Sequence, residues 1–388
     1  MLLPLRGSIE GFSIIDIGLI GSAYFAGLTA GCLIGPRVIA RVGHIRAFSV
    51  FAAIATISPL IEAMWPAPPL WWVFRGLTGM CFAGIMNVVE SWLTGVATNA
   101  NRGQVMSIYA MINFGSLTAG QQPINLASPA NFRLFSLVAI LCSLAAVPLA
   151  LTLSASPAPP MRPRLRLAEI YRVSPAAVAG CFGAGLANGA FWSLSPVYAR
   201  DGGLPPSLIA AFVSLAVLGG ALAQWPVGRL SDRADRRRVL AAACIGAAIT
   251  GTLLFVFSGG SPAVRLSLAA LFGIFALPVY WISFAHANDL AEPGEAVNVS
   301  ANLLLLFSIG AIFGPILASA LKIYLGYGSL FLYTASIHVL IAAAVLYRIS
   351  RRAAPPPKDR VVYEELPKST TPAVFELTLP EAQACKES

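Results

Sequence analysis

The sequence predicts an all-α integral membrane protein, and its composition and its long apolar runs are the observations that predict it. Of its 388 residues, 57% are hydrophobic and only 11% are charged, and the mean hydropathy is +0.75. A soluble globular domain carries about 25% charged residues, because its surface must be solvated. Most of the surface of this chain is therefore expected to face lipid.

Apolar runs long enough to cross the hydrocarbon core, which takes about 20 residues in a helix, follow one another along the chain. The gaps between them contain turn residues or charges, such as Pro66 and Arg102. These runs predict eleven transmembrane helices, at about 14–35, 47–65, 70–94, 105–125, 134–153, 174–199, 207–227, 239–258, 265–287, 299–321 and 329–348.

The distribution of basic residues over the gaps predicts the orientation. One set of alternate gaps holds 13 arginines and the other set holds 5 basic residues, and the more basic loops of a membrane protein face the cytoplasm. The C-terminus is then cytoplasmic, residue 1 is outside, and the expected location is a bacterial inner membrane. This placement of charge also explains the net charge of +9 better than nucleic-acid binding does.

Composition divides the chain into four parts. Residues 1–153 form a predicted N-terminal helical bundle, and residues 154–173 form a Pro-rich, basic cytoplasmic linker. Residues 174–348 form a C-terminal bundle. Residues 349–388 lose apolar periodicity, which predicts a disordered cytoplasmic tail.

An internal repeat relates the two bundles. A shift of 192 residues superposes two basic loops, and it also aligns Gly27 with Gly219 on the preceding helices. Parallel repeats about an axis along the membrane normal are a known plan of transporters. The loop residues that coincide are Arg37 with Arg229, Arg41 with Arg233, and Arg46 with Arg238.

The second of these loops, Gly228-Arg-Leu-Ser-Asp-Arg-Ala-Asp-Arg-Arg-Arg238, resembles the loop signature G-x-L-a-D-R-x-G-r-r of the major facilitator superfamily. It departs from that signature at Asp235, and the first-half copy has Ala40 in place of the acid. Arg75-Gly-Leu-Thr-Gly79 resembles the superfamily's fourth-helix signature. Gly310-Ala-Ile-Phe-Gly-Pro315 resembles its Gly/Pro-rich signature, and Val88-Val-Glu-Ser is similar to the YcaD-like branch of bacterial permeases.

The resemblance implies a fold of two six-helix-type bundles with 11 of 12 transmembrane helices present. The motifs make the first run the family's helix 2 and the last run its helix 12, so that helix 1 is absent. Two explanations are open, an upstream start codon and a truncated gene. Met1 to Leu5 would then be the outer end of helix 1.

The function that the resemblance implies is secondary transport of a small organic solute by alternating access, coupled to protons. We expect a monomer surrounded by membrane lipid, with no cofactor, no metal and no nucleic-acid partner. One alternative is a membrane scaffold or sensor that keeps the fold without transport. Another is a membrane-embedded enzyme, which the lack of a catalytic cluster disfavours.

A loop motif and a glycine spacing each predict a structural role. Arg229, Asp232 and Arg233, with Arg37 and Arg41 in the first half, are predicted to form a gating loop held by salt bridges. The alternative is a basic turn that only fixes topology. The spacing Gly27-x-x-x-Gly31-x-x-x-Gly35 favours close helix packing.

Ionisable residues in apolar runs are costly and usually functional. Glu90, Arg75 and Asp16 are the candidates for coupling, with Glu90 either a proton-binding carboxyl or an anchor to the Asn101–Arg102 turn. Arg75 and Glu90 are about 22 Å apart along one helix at 1.5 Å per residue, so they cannot pair directly. Asp16 and Glu62 lie near predicted helix ends, where an interfacial role is expected.

Polar and aromatic residues at membrane depth are the candidates for a substrate cavity, which needs a mixed lining. Asn188 and Trp192 share one helix face, as do Asn87 and Glu90. The full set of cavity candidates is Asn87, Asn113, Gln121, Gln122, Asn188, Trp192, Gln224, Tyr280, Trp281 and Asn302.

Overall fold

The computed structural model describes residues 1–96, 102–152, 167–291 and 296–351, and all the regular secondary structure in these ranges is helical. The predicted tail after Arg351, and residues 154–166 of the predicted linker, lie outside the described residues. So does Asn101, in the turn that was the alternative anchor for Glu90.

The described part of the first half contains six α-helices and one 3₁₀ helix. Ser13 begins α2 with a capping box, in which its hydroxyl accepts from the Asp16 amide and the Asp16 carboxylate accepts from Ser13. The helices are α1 Leu2–Ile9, α2 Ile14–Val42, α3 His44–Met64, α4 Pro68–Val96, α5 Arg102–Ala119, the 3₁₀ helix Gln122–Asn125, and α6 Phe132–Ala150.

The second half adds eight helices in the described residues. Pro278 separates α11 from α12 because proline has no amide hydrogen for the helix ladder. The helices are α7 Leu167–Val173, α8 Pro175–Asp201, α9 Pro206–Arg233, α10 Arg236–Val256, α11 Pro262–Ala276, α12 Val279–Asn288, α13 Ala296–Leu325 and α14 Ser329–Arg351.

Ten of the eleven predicted runs correspond to helical segments that are long and apolar enough to cross a membrane, with α11 and α12 together forming one of them. The count of eleven is not confirmed. The run at 105–125 is split between α5, which ends at Ala119, and the 3₁₀ helix. Gly120 and Pro123 interrupt this run, and polar residues such as Asn113 lower its hydropathy.

Two helix pairs, α2 with α4 and α9 with α11, are packed through glycines in the same way. A Cβ on Gly27 would strike the carbonyl oxygen of Gly76, and one on Gly219 would strike that of Ala270. Gly79 lies against the Tyr24 carbonyl as Gly273 lies against the Ala216 carbonyl. Tyr24 and Ala216 are 192 residues apart, so the structure confirms the repeat.

The predicted glycine face of α2 is a packing surface. Gly31 meets the Met80 carbonyl and Ala83, and Gly35 lies beside Gly84 and Asn87, all on α4. Within lipid, apolar side chains gain nothing by leaving the acyl chains, so association depends on close van der Waals contact between backbones. Packing accounts for the spacing.

The two halves meet through α2, which packs on α13 and α8, and through α5 and the 3₁₀ helix, which pack on α9. Glycine contacts between the halves lie at the end where α2 begins. There Gly18 lies against Ser319 and Pro315 of α13, and Gly21 lies against Ser193 of α8. We call the end of the molecule where α9 finishes and α10 begins the basic end. We call the other end, where α2 begins, the opposite end.

Substitution of Gly27 by alanine is expected to lower the free energy of unfolding by about 1–3 kcal/mol, because the new methyl group overpacks against a backbone carbonyl. Gly115→Ala is the matched control, since no atom lies within 4 Å of a Cβ built there. That change should be neutral or stabilising by up to about 1 kcal/mol. Thermal unfolding in detergent measures both, and equal melting temperatures for the two variants would contradict the packing role.

Candidate functional site

Buried charges at the basic end tie together α9, α10 and the end of α12. Arg236 donates from Nε to the Asp289 carboxylate at 2.7 Å and from Nη1 to Ser231 Oγ at 3.2 Å. Its Nη1 also pairs with Asp232 at 3.1 Å. The side chains of Arg236 and Asp289 are only 1% and 2% exposed. We call Ser231, Asp232, Arg236 and Asp289 the basic-end cluster.

Asp235, in the turn between α9 and α10, begins α10 as its N-cap and accepts from the Arg237 amide. Burial on its own would raise the pKa of this carboxyl group. Hydrogen bonds from the side chain and amide of Arg237, with the charges of Arg237 and His286, instead hold the pKa below its usual value. The carboxylate therefore stabilises the turn at neutral pH, and this contribution is lost only as the pH falls through the lowered pKa.

Of the predicted gating residues, Asp232 makes an ion pair and the arginines lie on the surface. Arg229 is exposed and stacks on the Trp225 ring at 4.0 Å. Arg233 is exposed, as are Arg37 and Arg41 in the first half. Sequence reasoning missed Arg236 and Asp289. Arg236 lies within the loop that resembles the family signature. Asp289 lies in the one gap of the more basic set of alternate gaps that has no basic residue.

Glu90 of α4 is fully buried and is linked to α5. Tyr109 donates its hydroxyl hydrogen to Glu90 Oε1 at 3.1 Å. Asn87, one turn earlier, is also buried and donates to the Ala83 carbonyl at 3.0 Å. Cys32 of α2 lies within electrostatic range of Glu90, and also of Tyr280 on α12 in the second half. The structure thus brings Glu90 to the region where the halves meet.

The other two coupling candidates have different surroundings. The Arg75 guanidinium lies 4.3 Å from the centre of the Tyr24 ring, a cation–π contact. Asp16 is engaged in the capping box with Ser13. Glu62 lies two residues before the end of α3, as expected, and it is only 2% exposed. The packing that covers its side chain was not predicted from the sequence.

Three cavity candidates of the second half, Asn188, Tyr280 and Trp281, are buried. Tyr280 lies 4.9 Å from Trp281 and from Phe307 between ring centres. Neither Tyr280 Oη nor Asn188 Nδ2 has a hydrogen-bond partner in the described part of the chain. Trp192, one turn from Asn188, is half-buried.

The remaining cavity candidates are dispersed. Gln224 and Asn302 are buried, and Asn302 donates to the Asn298 carbonyl at 2.7 Å. Gln121, in the turn after α5, donates to the Leu117 carbonyl of that helix, and Gln122 donates to Ser214 Oγ at 3.0 Å across the two halves. Asn113 is half-buried on α5.

A groove of about 550 Å³ lies between α10 and α14 and contains none of the predicted residues. Its lining is almost entirely apolar, with Ile249 and Leu346 on its two sides and Thr252 as its polar residue. The Thr252 hydroxyl is already bonded to the Ala248 carbonyl. This groove offers nothing to orient a polar solute.

Sequence comparison relates the chain to a family of membrane transporters. The profile of the Major Facilitator Superfamily matches residues 2–301 and 177–380. An uncharacterized MFS-type transporter YcaD from Escherichia fergusonii is 27% identical over 361 residues, which cover 92% of each chain. An uncharacterized MFS-type transporter from Enterobacter sp. is 28% identical over 364 residues, covering 91% of this chain and 92% of that protein.

Solved structures show the same fold. The nucleoside transporter NupG superposes with a TM-score of 0.69 at 11% identity, covering 89% of this chain and 94% of that one. A bacterial homologue of the human lysosomal transporter Spinster, in an inward-facing and occupied conformation, gives a TM-score of 0.62 at 15% identity. That match covers 92% of this chain and 98% of the other.

Asp289→Asn is expected to destabilise the protein by about 3–5 kcal/mol, because it removes a carboxylate from a buried arginine. The matched control is Asp201→Asn, which removes the more exposed pair with Lys322 at 2.5 Å and should cost at most about 1 kcal/mol. Thermal unfolding in detergent compares them. A loss no larger for Asp289→Asn than for Asp201→Asn would contradict a structural role for the basic-end cluster.

Proposed function

This chain belongs to the Major Facilitator Superfamily, and on that premise we propose that it is a secondary active transporter that moves a small organic solute by alternating access, coupled to protons. That it is a multi-pass membrane transporter follows from the family and from its ten membrane-spanning candidates. The solute, the coupling ion and the mechanism are the proposed part. The observation that carries them is a set of buried polar groups where the two halves meet.

Alternating access requires two halves that can separate at one end at a time. At the opposite end, Gly18 and Gly21 hold α2 against α13 and α8, so that the halves are in close contact there. The ion pairs of the basic-end cluster lie within the second half and keep α9, α10 and α12 together. Such a half can move as a rigid body, which supports a rocking motion about a central site.

The solute is proposed to bind between α8 and α12. Asn188 Nδ2 and Tyr280 Oη are buried donors without a partner in the described part of the chain, and an unsatisfied buried donor costs about 1–3 kcal/mol. A solute with a hydrogen-bond acceptor would satisfy them. The rings of Trp281 and Phe307 beside Tyr280 would contact its apolar part.

Glu90 is the proposed proton-binding group for coupling. Its carboxyl is buried, receives the Tyr109 hydrogen bond, and lies near Cys32 on the face that meets the second half. Burial of an ionisable group at this depth costs free energy, and such groups usually have a function. Binding and release of a proton there would change the charge at the meeting of the halves, which supports a role in biasing their arrangement.

The protein is proposed to act in a bacterial inner membrane with its C-terminus in the cytoplasm. The bundles 1–153 and 174–348, the cytoplasmic linker 154–173 and the tail 349–388 are proposed as its parts. The arginine bias of alternate loops supports this orientation.

Proteoliposomes containing the full chain, under an imposed pH gradient, are expected to accumulate one solute from a panel of radiolabelled organic compounds. Glu90→Gln should reduce this accumulation by at least about tenfold, equivalent to about 1.4 kcal/mol, because the coupling carboxyl is lost. Exchange of the same solute without a gradient should persist.

Glu10→Gln is the matched control, since Glu10 lies at the surface and pairs with Arg6 one turn earlier at 2.6 Å. It should accumulate the solute as the unaltered protein does. Unchanged accumulation in Glu90→Gln would contradict coupling at this residue. No flux for any solute would favour the scaffold or sensor.

A protease-cleavable tag after Ser388 is expected to resist externally added protease in intact spheroplasts and to be cut after lysis. The same tag inserted at Gly203, in the turn between α8 and α9, should be cut in both preparations. The two sites are predicted to lie on opposite sides of the membrane. Cleavage of the C-terminal tag in intact spheroplasts would contradict the predicted orientation.

A further inference from the structure

Glu62 is a buried carboxyl group that the proposed coupling at Glu90 does not use. It is 2% exposed, and its Oε1 has no hydrogen-bond partner in the described part of the chain. An ionised carboxylate without a partner in apolar surroundings is costly. Binding of a proton removes this cost, because it makes the carboxyl group neutral.

The packing around Glu62 fixes it in place at the opposite end. The Trp71 indole donates to the Glu62 backbone carbonyl at 2.8 Å, and Trp71 is itself fully buried with its ring centre 4.9 Å from that of Phe12. The neighbouring Ala63 packs into the same apolar cluster, which includes Ile20 and Phe135. The carboxyl is therefore held in an apolar setting two residues from the helix end.

Among the described residues of the helices packed against α3, Arg75 is the cationic neighbour of Glu62. From α4, Arg75 lies within electrostatic range of Glu62, and in the described residues it makes no ion pair. From α2, Asp16 is engaged with Ser13. From α6, Arg133 is exposed at the helix start. A nearby cation that is not bonded to the carboxylate allows the proton to leave as well as to bind.

Glu62 and Glu90 lie towards different ends of the first half. Glu62 is at the opposite end, where α2 begins. Glu90 is near the last residues of α4, which lie at the same end of the molecule as the last residues of α2. Arg75 is on α4 between them. A carboxyl group towards each end is suited to exchange protons with a different side of the membrane.

We propose that Glu62 is a second proton-binding site, which exchanges protons with the compartment at the opposite end and acts with Arg75. A proton adds to the Glu62 carboxylate, giving a neutral carboxyl group, and leaves again as the carboxylate re-forms beside Arg75. The proposal rests on proton-coupled transport for its role in the cycle. Proton binding itself can be measured without any solute.

The test is infrared difference spectroscopy of the purified full chain in lipid, recorded as the pH is lowered. The band of protonated buried carboxyl groups should lose one component in Glu62→Gln and a different one in Glu90→Gln. Glu62→Asp, which keeps a carboxyl group, should retain a shifted component. An unchanged band in a folded Glu62→Gln protein would overturn the proposal.

Labelling of the unaltered protein avoids any dependence on a variant that folds. Dicyclohexylcarbodiimide reacts with protonated carboxyl groups in apolar surroundings, and peptide mass mapping should locate the adduct on Glu62 at acidic pH, with less adduct at alkaline pH. No adduct on Glu62 at any pH would overturn the proposal. A positive result in a protein that shows no solute flux would leave proton binding established and reject the transport function alone.

Discussion

Close backbone contact between helices is the constraint on which the rest of this structure depends. In lipid the hydrophobic effect does not drive apolar helices together, so they associate where small residues let their backbones touch. Gly27 on α2 and Gly219 on α9 each place a helix against the carbonyl of its neighbour. Gly310 does the same for α13 against Phe182 of α8. These contacts set the spacing within each half, and hence where polar side chains meet.

The polar groups held by this scaffold fall into two kinds. Arg236 and Asp289 satisfy one another and stabilise the second half at its basic end. Glu62, Asn188 and Tyr280 are buried with at least one atom that has no partner in the described residues. Since unsatisfied buried polar atoms lower stability, the second kind is where binding of a proton or solute would recover free energy. In the proposed function, stability and transport therefore use different residues.

Much of the fold could be predicted from the chain because it depends on local properties. The boundaries of ten apolar segments and the glycine face of α2 follow from runs and spacings of a few residues. The site was predicted less well. Asp232 was recognised from its motif, yet its partner Arg236 was read only as part of a basic loop. Glu62 was expected near a helix end, where it lies, but its burial was not predicted because sequence position says nothing of what packs over it.

The sequence by itself determined that the chain is a bundle of membrane-spanning helices, that its halves repeat, and which family it resembles. Each of these depends on hydropathy, charge or motif spacing along the chain. Only the tertiary structure decided that Arg236 meets Asp289, 53 residues away, and that Tyr109 of α5 meets Glu90 of α4. Such contacts depend on how helices rotate and cross, and that is set by the summed packing of many side chains.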